Sequence, residues 1–289
     1  MYANTSRDLP GAVLKAGRFA FPLDRPLIMG VLNVTPDSFS DGGRFLDHDA
    51  ALAQARRLID EGADILDVGG ESTRPGAPEV SAADELRRIL PVVGALAGTF
   101  PVSVDTSKPD VMREVLSLGV AMINDVMALR APGSVEVVAA TDAAVCLMHM
   151  QGTPRTMQQN PVYDDVVAEV GDFLEGRARA AQAAGIRQER IVIDPGFGFG
   201  KTTAHNLSLL RQLGALRARG WPVLAGLSRK SILGKIAGRH LGDRLHASVA
   251  ASLLAVERGA AIVRVHDVGP TRDALQVLRS VLDDRFSIE

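Results

Sequence analysis

Short, mainly apolar runs recur along the chain at 27–32, 64–68, 102–105, 121–124, 144–149, 191–194, 222–226 and 261–265. Each is rich in Val, Ile, Leu or Met, and none shows strict alternation of polar with apolar. A strand with one wet face alternates. A strand covered on both faces does not, so these runs read as neighbours in a buried parallel sheet. Helix signals fill the intervals. Asp49 to Glu61 sets Leu52, Ala55 and Ile59 on one face and stops at Gly62. Ser81 with Asp84 forms a capping pattern, and Ser107-Lys108-Pro109 opens another helix that ends at Gly119. Further helices are expected over 162–184, after His205, between Ser231 and Arg258, and over 271–283. A helix-ending glycine feeds the next strand at Gly62-Ala63, Gly119-Val120 and Gly259-Ala260. Eight such units predict an α/β fold, a single (β/α)8 TIM barrel over residues 27–289, behind an irregular lead-in at 1–26. The runner-up is a doubly wound open sheet. No glycine-rich fingerprint follows the first strand, and no break in composition marks a second domain.

Composition narrows the function classes. A net charge of −2 over 289 residues gives no basic excess for nucleic acid or anionic lipid, and two Tyr with one Trp make a poor base-stacking surface. No apolar stretch is long enough to span a bilayer, and Asp8, Lys15, Arg18 and Asp24 interrupt any signal-like run. The lone Cys146 sits in an apolar run, fits a reducing cytoplasm and reads as an inert buried thiol.

Chemistry is expected where barrel strands end, because those ends converge on one face. The first run spills into a long polar segment, Asn33 to about Asp47, built around Phe39 and Asp41. Later runs end in Gly69-Gly70-Glu71-Ser72-Thr73-Arg74-Pro75-Gly76, Asp105, Asn124-Asp125, His149, Asp194, Ser228-Arg229-Lys230-Ser231 and Arg264-Val265-His266-Asp267. So many hydrogen-bonding groups on one face exceed what caps and turns need. Asn33, Arg74, Arg264 and His266 suit an oxyanion, as does the helix start after Ser228. Asp105, Asn124, Asp194 and Lys230 suit a flat heterocycle with donors and acceptors on its edge. Other patterns fall away. Gly196-Phe197-Gly198-Phe199-Gly200-Lys201-Thr202 lacks the leading glycine of a P-loop, because Pro195 stands there. Phe197 and Phe199 read equally well as pocket wall or core. The histidines have no paired zinc spacing; His48, His205, His240 and His246 read as surface, cap or packing residues. Ser38 lies in no nucleophile elbow.

Met29 to Gly43, Gly62 to Gly76, Val104-Asp105-Thr106, Ile123 to Val126, Asp194 to Lys201, Ser228 to Ser231 and Arg264 to Asp267 occur in the order found in the dihydropteroate synthases, and the chain resembles that family over about residues 27–283. The resemblance implies a transferase of folate synthesis. It would join 4-aminobenzoate to dihydropterin-methyl diphosphate, release pyrophosphate, pass through a pterin cation, and be sensitive to sulfonamides. By position it implies Asp105, Asn124, Asp194 and Lys230 at the pterin. Asn33, Thr73, Arg74, Arg264 and His266 would take the pyrophosphate, with Mg2+ at Asn33. Phe39, Pro75, Phe199 and Ser231 would shape the aminobenzoate site. Asp41, Arg74, Lys230 and Arg264 are the expected catalytic set, with segments 33–47 and 70–79 closing over the cation. A cytoplasmic homodimer is also implied. Met127-Ala128 and Ile232-Leu233 depart from the family's usual residues and bear on pocket shape. The rival readings are a methyltetrahydrofolate-binding methyltransferase module, a non-catalytic pterin-binding paralogue, and an unrelated barrel aldolase or isomerase.

Overall fold

A computed structural model describes residues 12–35, 44–72, 79–153 and 156–282, without the side chains of 44–47. After a hairpin of β1 (Val13–Ala16) and β2 (Phe19–Pro22), the chain alternates strand and helix. It runs β3 (Leu27–Asn33), α1 (Arg44–Asp60), β4 (Ile65–Gly69), α2 (Ala82–Leu96), β5 (Val102–Asp105), α3 (Pro109–Ser117), β6 (Met122–Asp125) and α4 (Ser134–Ala139). There follow β7 (Ala144–Met148), α5 (Val166–Ala183), β8 (Ile191–Asp194), α6 (Thr203–Arg211), α7 (Leu213–Arg217), β9 (Val223–Ala225), α8 (Ser231–Ala237), α9 (Leu245–Glu257), β10 (Ala260–Val265) and α10 (Val268–Leu282). Strands β3 to β10 close into one barrel in the order β10-β3-β4-β5-β6-β7-β8-β9, with each neighbouring pair parallel. The expected (β/α)8 barrel is therefore the fold, and the open sheet is not.

The buried residues form two main layers. Outside the strands, Val68, Val104, Ile123, Val145, Leu147, Ile193 and Val263 pack against the helices. Inside, Leu27, Met29, Ile65, Met122, Ala144, Cys146, Val192, Leu224 and Ile262 fill the barrel. Cys146 is fully buried in that inner layer, and burial pushes its thiol well above the ordinary range, so it is inert. The αβ joints form as expected: Gly62, Gly119 and Gly259 take φ of +101°, +80° and +102°, a conformation that costs any side chain dearly. Ser81 caps α2 by accepting from the Asp84 amide at 3.1 Å, and Thr202 with His205 makes a capping box for α6.

Three expectations need correction. The lead-in is not irregular over 13–22. Its hairpin turns at Gly17-Arg18, and Leu14 and Ala16, both fully buried, pack into the inner layer. It makes part of the barrel floor. Helix α1 starts at Arg44, earlier than the apolar spacing showed. The short helices α4 and α7 were not anticipated, because six and five residues hold too few turns for a periodic signal. Among the described residues no helix is long and apolar enough to cross a membrane.

Candidate active site

Register places the strand-end residues at one height. Asn33, Gly69, Asp105 and Asn124 are successive Cα partners across β3, β4, β5 and β6, and Asp194 ends β8 opposite Met148. Gly69 keeps the space between them open. A Cβ there would lie 3.6 Å from Asp105 Cβ and 3.7 Å from Asn33 Oδ1.

Arg264 enters from β10, level with Met29. Its Nε donates to Asp67 Oδ2 at 2.6 Å, and its Nη2 donates to Asp105 Oδ2 at 2.9 Å. Asn124 Nδ2 donates to the same Asp67 oxygen at 3.0 Å. Burial alone would lower the pKa of Arg264. The neighbouring charges of Asp67 and Asp105 outweigh that and hold it above its ordinary value. Burial lifts Asp105 to about 7, with Arg264 pulling against the shift. The arginine is thus a fixed cation between the buried carboxylate of Asp67 and the partly buried one of Asp105.

Across the mouth, Asp194 Oδ1 accepts from the Gly196 amide at 2.7 Å. Among the described residues no other group bonds that carboxylate, and burial raises its pKa while Lys230 opposes. The Lys230 ammonium sits 4.7 Å over the Phe199 ring and donates to the Phe197 carbonyl. Burial brings Lys230 down to about 8, against the pull of Asp194. The 196–200 turn that carries these contacts cannot take a side chain at its first position. A Cβ on Gly196 would lie 2.0 Å from the His149 carbonyl oxygen. The glycine run therefore serves a tight turn rather than a nucleotide. The two phenylalanines divide: Phe197 is fully buried in the outer core, whereas Phe199 is half-buried and faces Lys230. Phe199 packs on Val126, Met148, Met150 and Met157, and Met127 joins the same apolar wall.

On the remaining side, the buried Ser228 hydroxyl accepts from the His266 amide at 3.2 Å and meets His266 Nδ1 at 3.0 Å, which fixes that ring. Arg229 forks onto Asp267 at 3.0 and 2.5 Å. Ser231 is exposed and opens α8, whose N-cap Lys230 makes no side-chain cap bond. Of the expected site residues, Asn33, Asp105, Asn124, Asp194, Phe199, Lys230, Ser231, Arg264 and His266 are described. Phe39, Asp41, Thr73, Arg74 and Pro75 lie outside the described residues.

Two strand-end groups are committed to partners of their own. Strand parity turns His149 outward, where it sits edge-on to Phe173 at 4.9 Å and 2.9 Å from Lys201 Nζ. Burial drops the His149 pKa to about 3, so it stays neutral. Glu71 is committed to Lys108 at 2.5 Å and to the Val80 amide at 3.0 Å. Two groups that matter, Asp67 and Lys201, were not among the expected site residues. Asp67 lies inside a strand rather than after it, although inward parity with Gly69 marks it. Buried Lys201 bonds the carbonyls of His149, Gly196 and Phe199 and so anchors the turn. Ser228, expected only to precede an anion-attracting helix start, steadies His266.

A closed barrel whose carboxyl mouth gathers buried carboxylates, an amide, a lysine and an arginine defines an enzyme of the TIM-barrel class with a site for a small polar ring. The family model described as "Pterin binding enzyme" matches residues 29–266. The dihydropteroate synthase of Neisseria meningitidis serogroup B is 52% identical over 273 residues, covering 92% of this chain and 96% of its own. That of Escherichia coli K12 is 51% identical over 263 residues, covering 90% and 93%. The structure of Xanthomonas albilineans dihydropteroate synthase with 4-aminobenzoic acid superposes with a TM-score of 0.89 at 52% identity, covering 94% of this chain and 98% of that one. This chain belongs to the pterin-binding enzymes and, within them, to the dihydropteroate synthase family.

Proposed function

We propose that this chain is a transferase of folate biosynthesis that joins 4-aminobenzoate to (7,8-dihydropterin-6-yl)methyl diphosphate, giving 7,8-dihydropteroate and pyrophosphate. The observation that carries the reading is the ring of Asp105, Asn124, Asp194 and Lys230 around one mouth, with Arg264 held among them. A dihydropterin edge offers N–H and amino donors beside ring and carbonyl acceptors. The two carboxylates and the Asn124 carbonyl meet the donors, and Lys230 meets the acceptors. Structures of relatives support it: Xanthomonas albilineans dihydropteroate synthase has been seen with 4-aminobenzoic acid and with 7,8-dihydropteroate, and the Yersinia pestis enzyme with a sulfonamide drug complex. Identity near one half over nine-tenths of the chain favours this reaction over a methyltransferase module.

In this reading the diphosphate lies against Asn33, Arg264 and His266, with Thr73 and Arg74. Mg2+ fits the donors present. Asn33 is half-buried and its side chain has no hydrogen-bond partner among the described residues, and no group of three His, Cys, Asp or Glu among them could cage a metal. One amide oxygen, completed by waters and diphosphate oxygens, suits that ion. When bound, it supplies positive charge beside the leaving diphosphate. Arg264 supplies a second positive charge from the protein. The C–O bond breaks with its electron pair leaving on the diphosphate, and the electron-rich ring spreads the charge left on the methylene. The arylamine nitrogen forms the new C–N bond and loses a proton. Phe199 and Ser231, with Phe39 and Pro75, shape the aminobenzoate site, and Asp41 is the carboxylate assigned to the cation.

Mixing both substrates with Mg2+ should release pyrophosphate, and a sulfonamide should suppress that release. No release from folded protein would overturn the reading. It also carries a pH signature. Lys230 loses its proton near 8, so kcat/KM for the pterin substrate should fall as pH rises through about 8. Lys230→Arg should remove that alkaline limb while lowering the plateau, and an unchanged limb would exclude Lys230 as its source.

The assembly is proposed as a cytoplasmic homodimer. Ile236, Leu254, Val277 and Val281 expose large apolar side chains on the consecutive helices α8, α9 and α10, as a self-complementary face requires. Light scattering should give twice the 30.6 kDa chain mass.

A further inference from the structure

We infer that Asp67 is a positioning residue for the ring site, setting both the fork of Arg264 and the direction of the Asn124 amide. The inference rests on the ring site proposed above. Asp67 is fully buried in the middle of β4, in register with Val31 on β3 and Ser103 on β5. It lies two residues before Gly69 and so shares its inward face, below the level of Asp105 and Asn124. From there one oxygen, Oδ2, accepts from both Arg264 Nε at 2.6 Å and Asn124 Nδ2 at 3.0 Å.

The two bonds have different consequences. At Arg264 the Nε contact, together with Asp105 on Nη2, fixes the guanidinium plane. Of five N–H donors, two are thereby engaged, and the Nη1 edge is left for an anion. At Asn124 the contact decides chemistry. A carboxylate offers no hydrogen to an amide, so Nδ2 must face Asp67, and the Asn124 oxygen faces away from it. Asn124 therefore presents an acceptor to the pocket, where an unfixed amide could present a donor equally well. Selection for a ring with an N–H or amino group at that point originates one layer below the ring. The other oxygen of Asp67, Oδ1, is buried and takes no bond from the described residues, as does Ser103 Oγ on the adjoining strand. The floor of the pocket thus keeps acceptor capacity beneath Asn124.

Two substitutions test this. Because one oxygen takes both bonds, the amide oxygen of Asp67→Asn can keep them, whereas Asp67→Leu removes the acceptor and leaves the Asn124 amide free to turn either edge to the ring. Binding of 6-hydroxymethyl-7,8-dihydropterin, which lacks the diphosphate, is read by calorimetry, with the KM for 4-aminobenzoate and the melting temperature as companions. Asp67→Leu should weaken ring binding roughly 10- to 100-fold, the cost of one mismatched buried group, and leave the aminobenzoate KM unchanged. Asp67→Asn should recover most of that loss. Wild-type affinity in Asp67→Leu, or Asp67→Asn no better than Asp67→Leu, would overturn the inference. Should Asp67→Leu not fold, Asp67→Asn decides alone: ring affinity within about tenfold of the wild type upholds the role of the shared oxygen, and a larger loss overturns it. If the wild-type chain itself does not bind the ring, the ring site fails and not the role of Asp67 within it.

Discussion

Arg264→Ala is expected to lose turnover and stability together. The guanidinium is the only cation bonded to the buried carboxylate of Asp67 among the described residues, and it also bonds Asp105. Removing it leaves two carboxylates facing each other inside a barrel, where breaking one partner from a buried pair costs about 3–5 kcal/mol. It also removes a preorganised charge from the developing diphosphate, a loss of roughly 10²–10³ in kcat. Arg264→Lys restores a charge but not the fork, since one ammonium cannot reproduce two divergent N–H bonds. It should recover part of the melting temperature and little of the rate. The pH dependence has a fixed sign. Asp105 already titrates near 7 instead of 3.8, and without Arg264 nothing pulls it back. A carboxyl whose folded pKa is raised favours the folded state when protonated and disfavours it when ionised. Stability of Arg264→Ala should therefore fall as pH rises from about 4 through 7 and beyond. Thermal melts at pH 5.5 and pH 8, with pyrophosphate release at each, check both parts. A variant that melts alike at both, or turns over normally, would refute the arrangement of charges described here.

The barrel was legible because its strands are covered on both faces, and that demand writes mainly apolar runs into the sequence. The helix-ending glycines were legible for a similar reason, since the backbone there permits little else. Asn33, Asp105, Asn124 and Asp194 were found by taking the residue at each strand end. The same rule misplaced His149 and missed Asp67, because it ignores strand parity. Asn124 pairs in register with Cys146, which faces inward; Met148 does too, and His149 must face out. Applied to β4, that parity brings Ile65, Asp67 and Gly69 inward. Asp67 was thus within reach of sequence reasoning, at the price of treating a charged residue inside an apolar run as a signal. Lys201 and Ser228 were less accessible. Their partners are backbone carbonyls and a histidine brought together by the tertiary fold, with no spacing to mark them. The hairpin at the floor was hidden by its shortness: four residues a side hold too little alternation to stand out.

Asp194→Asn is expected to abolish useful ring binding with little change in fold. Asp194 Oδ1 accepts from the Gly196 amide, and the amide oxygen of asparagine can keep that bond. The change falls on the other side of the group. Where a carboxylate oxygen meets an N–H or amino donor, an NH2 would meet it instead, donor against donor. One buried donor left unpaired costs about 1–3 kcal/mol, and the charge assistance lost from the remaining bond adds to it. Together these predict at least a 100-fold weaker Kd for the pterin ring. Lys230 should respond in turn. Its pKa is depressed to about 8 by burial and supported by the charge of Asp194. Without that charge it should drop further, and the alkaline limb of kcat/KM should move to lower pH. Calorimetry with the ring alone measures the first effect, and the pH profile of pyrophosphate release, taken at saturating aminobenzoate, measures the second. A 100-fold loss without movement of the limb would separate Asp194 from Lys230, and ring binding within threefold of wild type would remove Asp194 from the ring site.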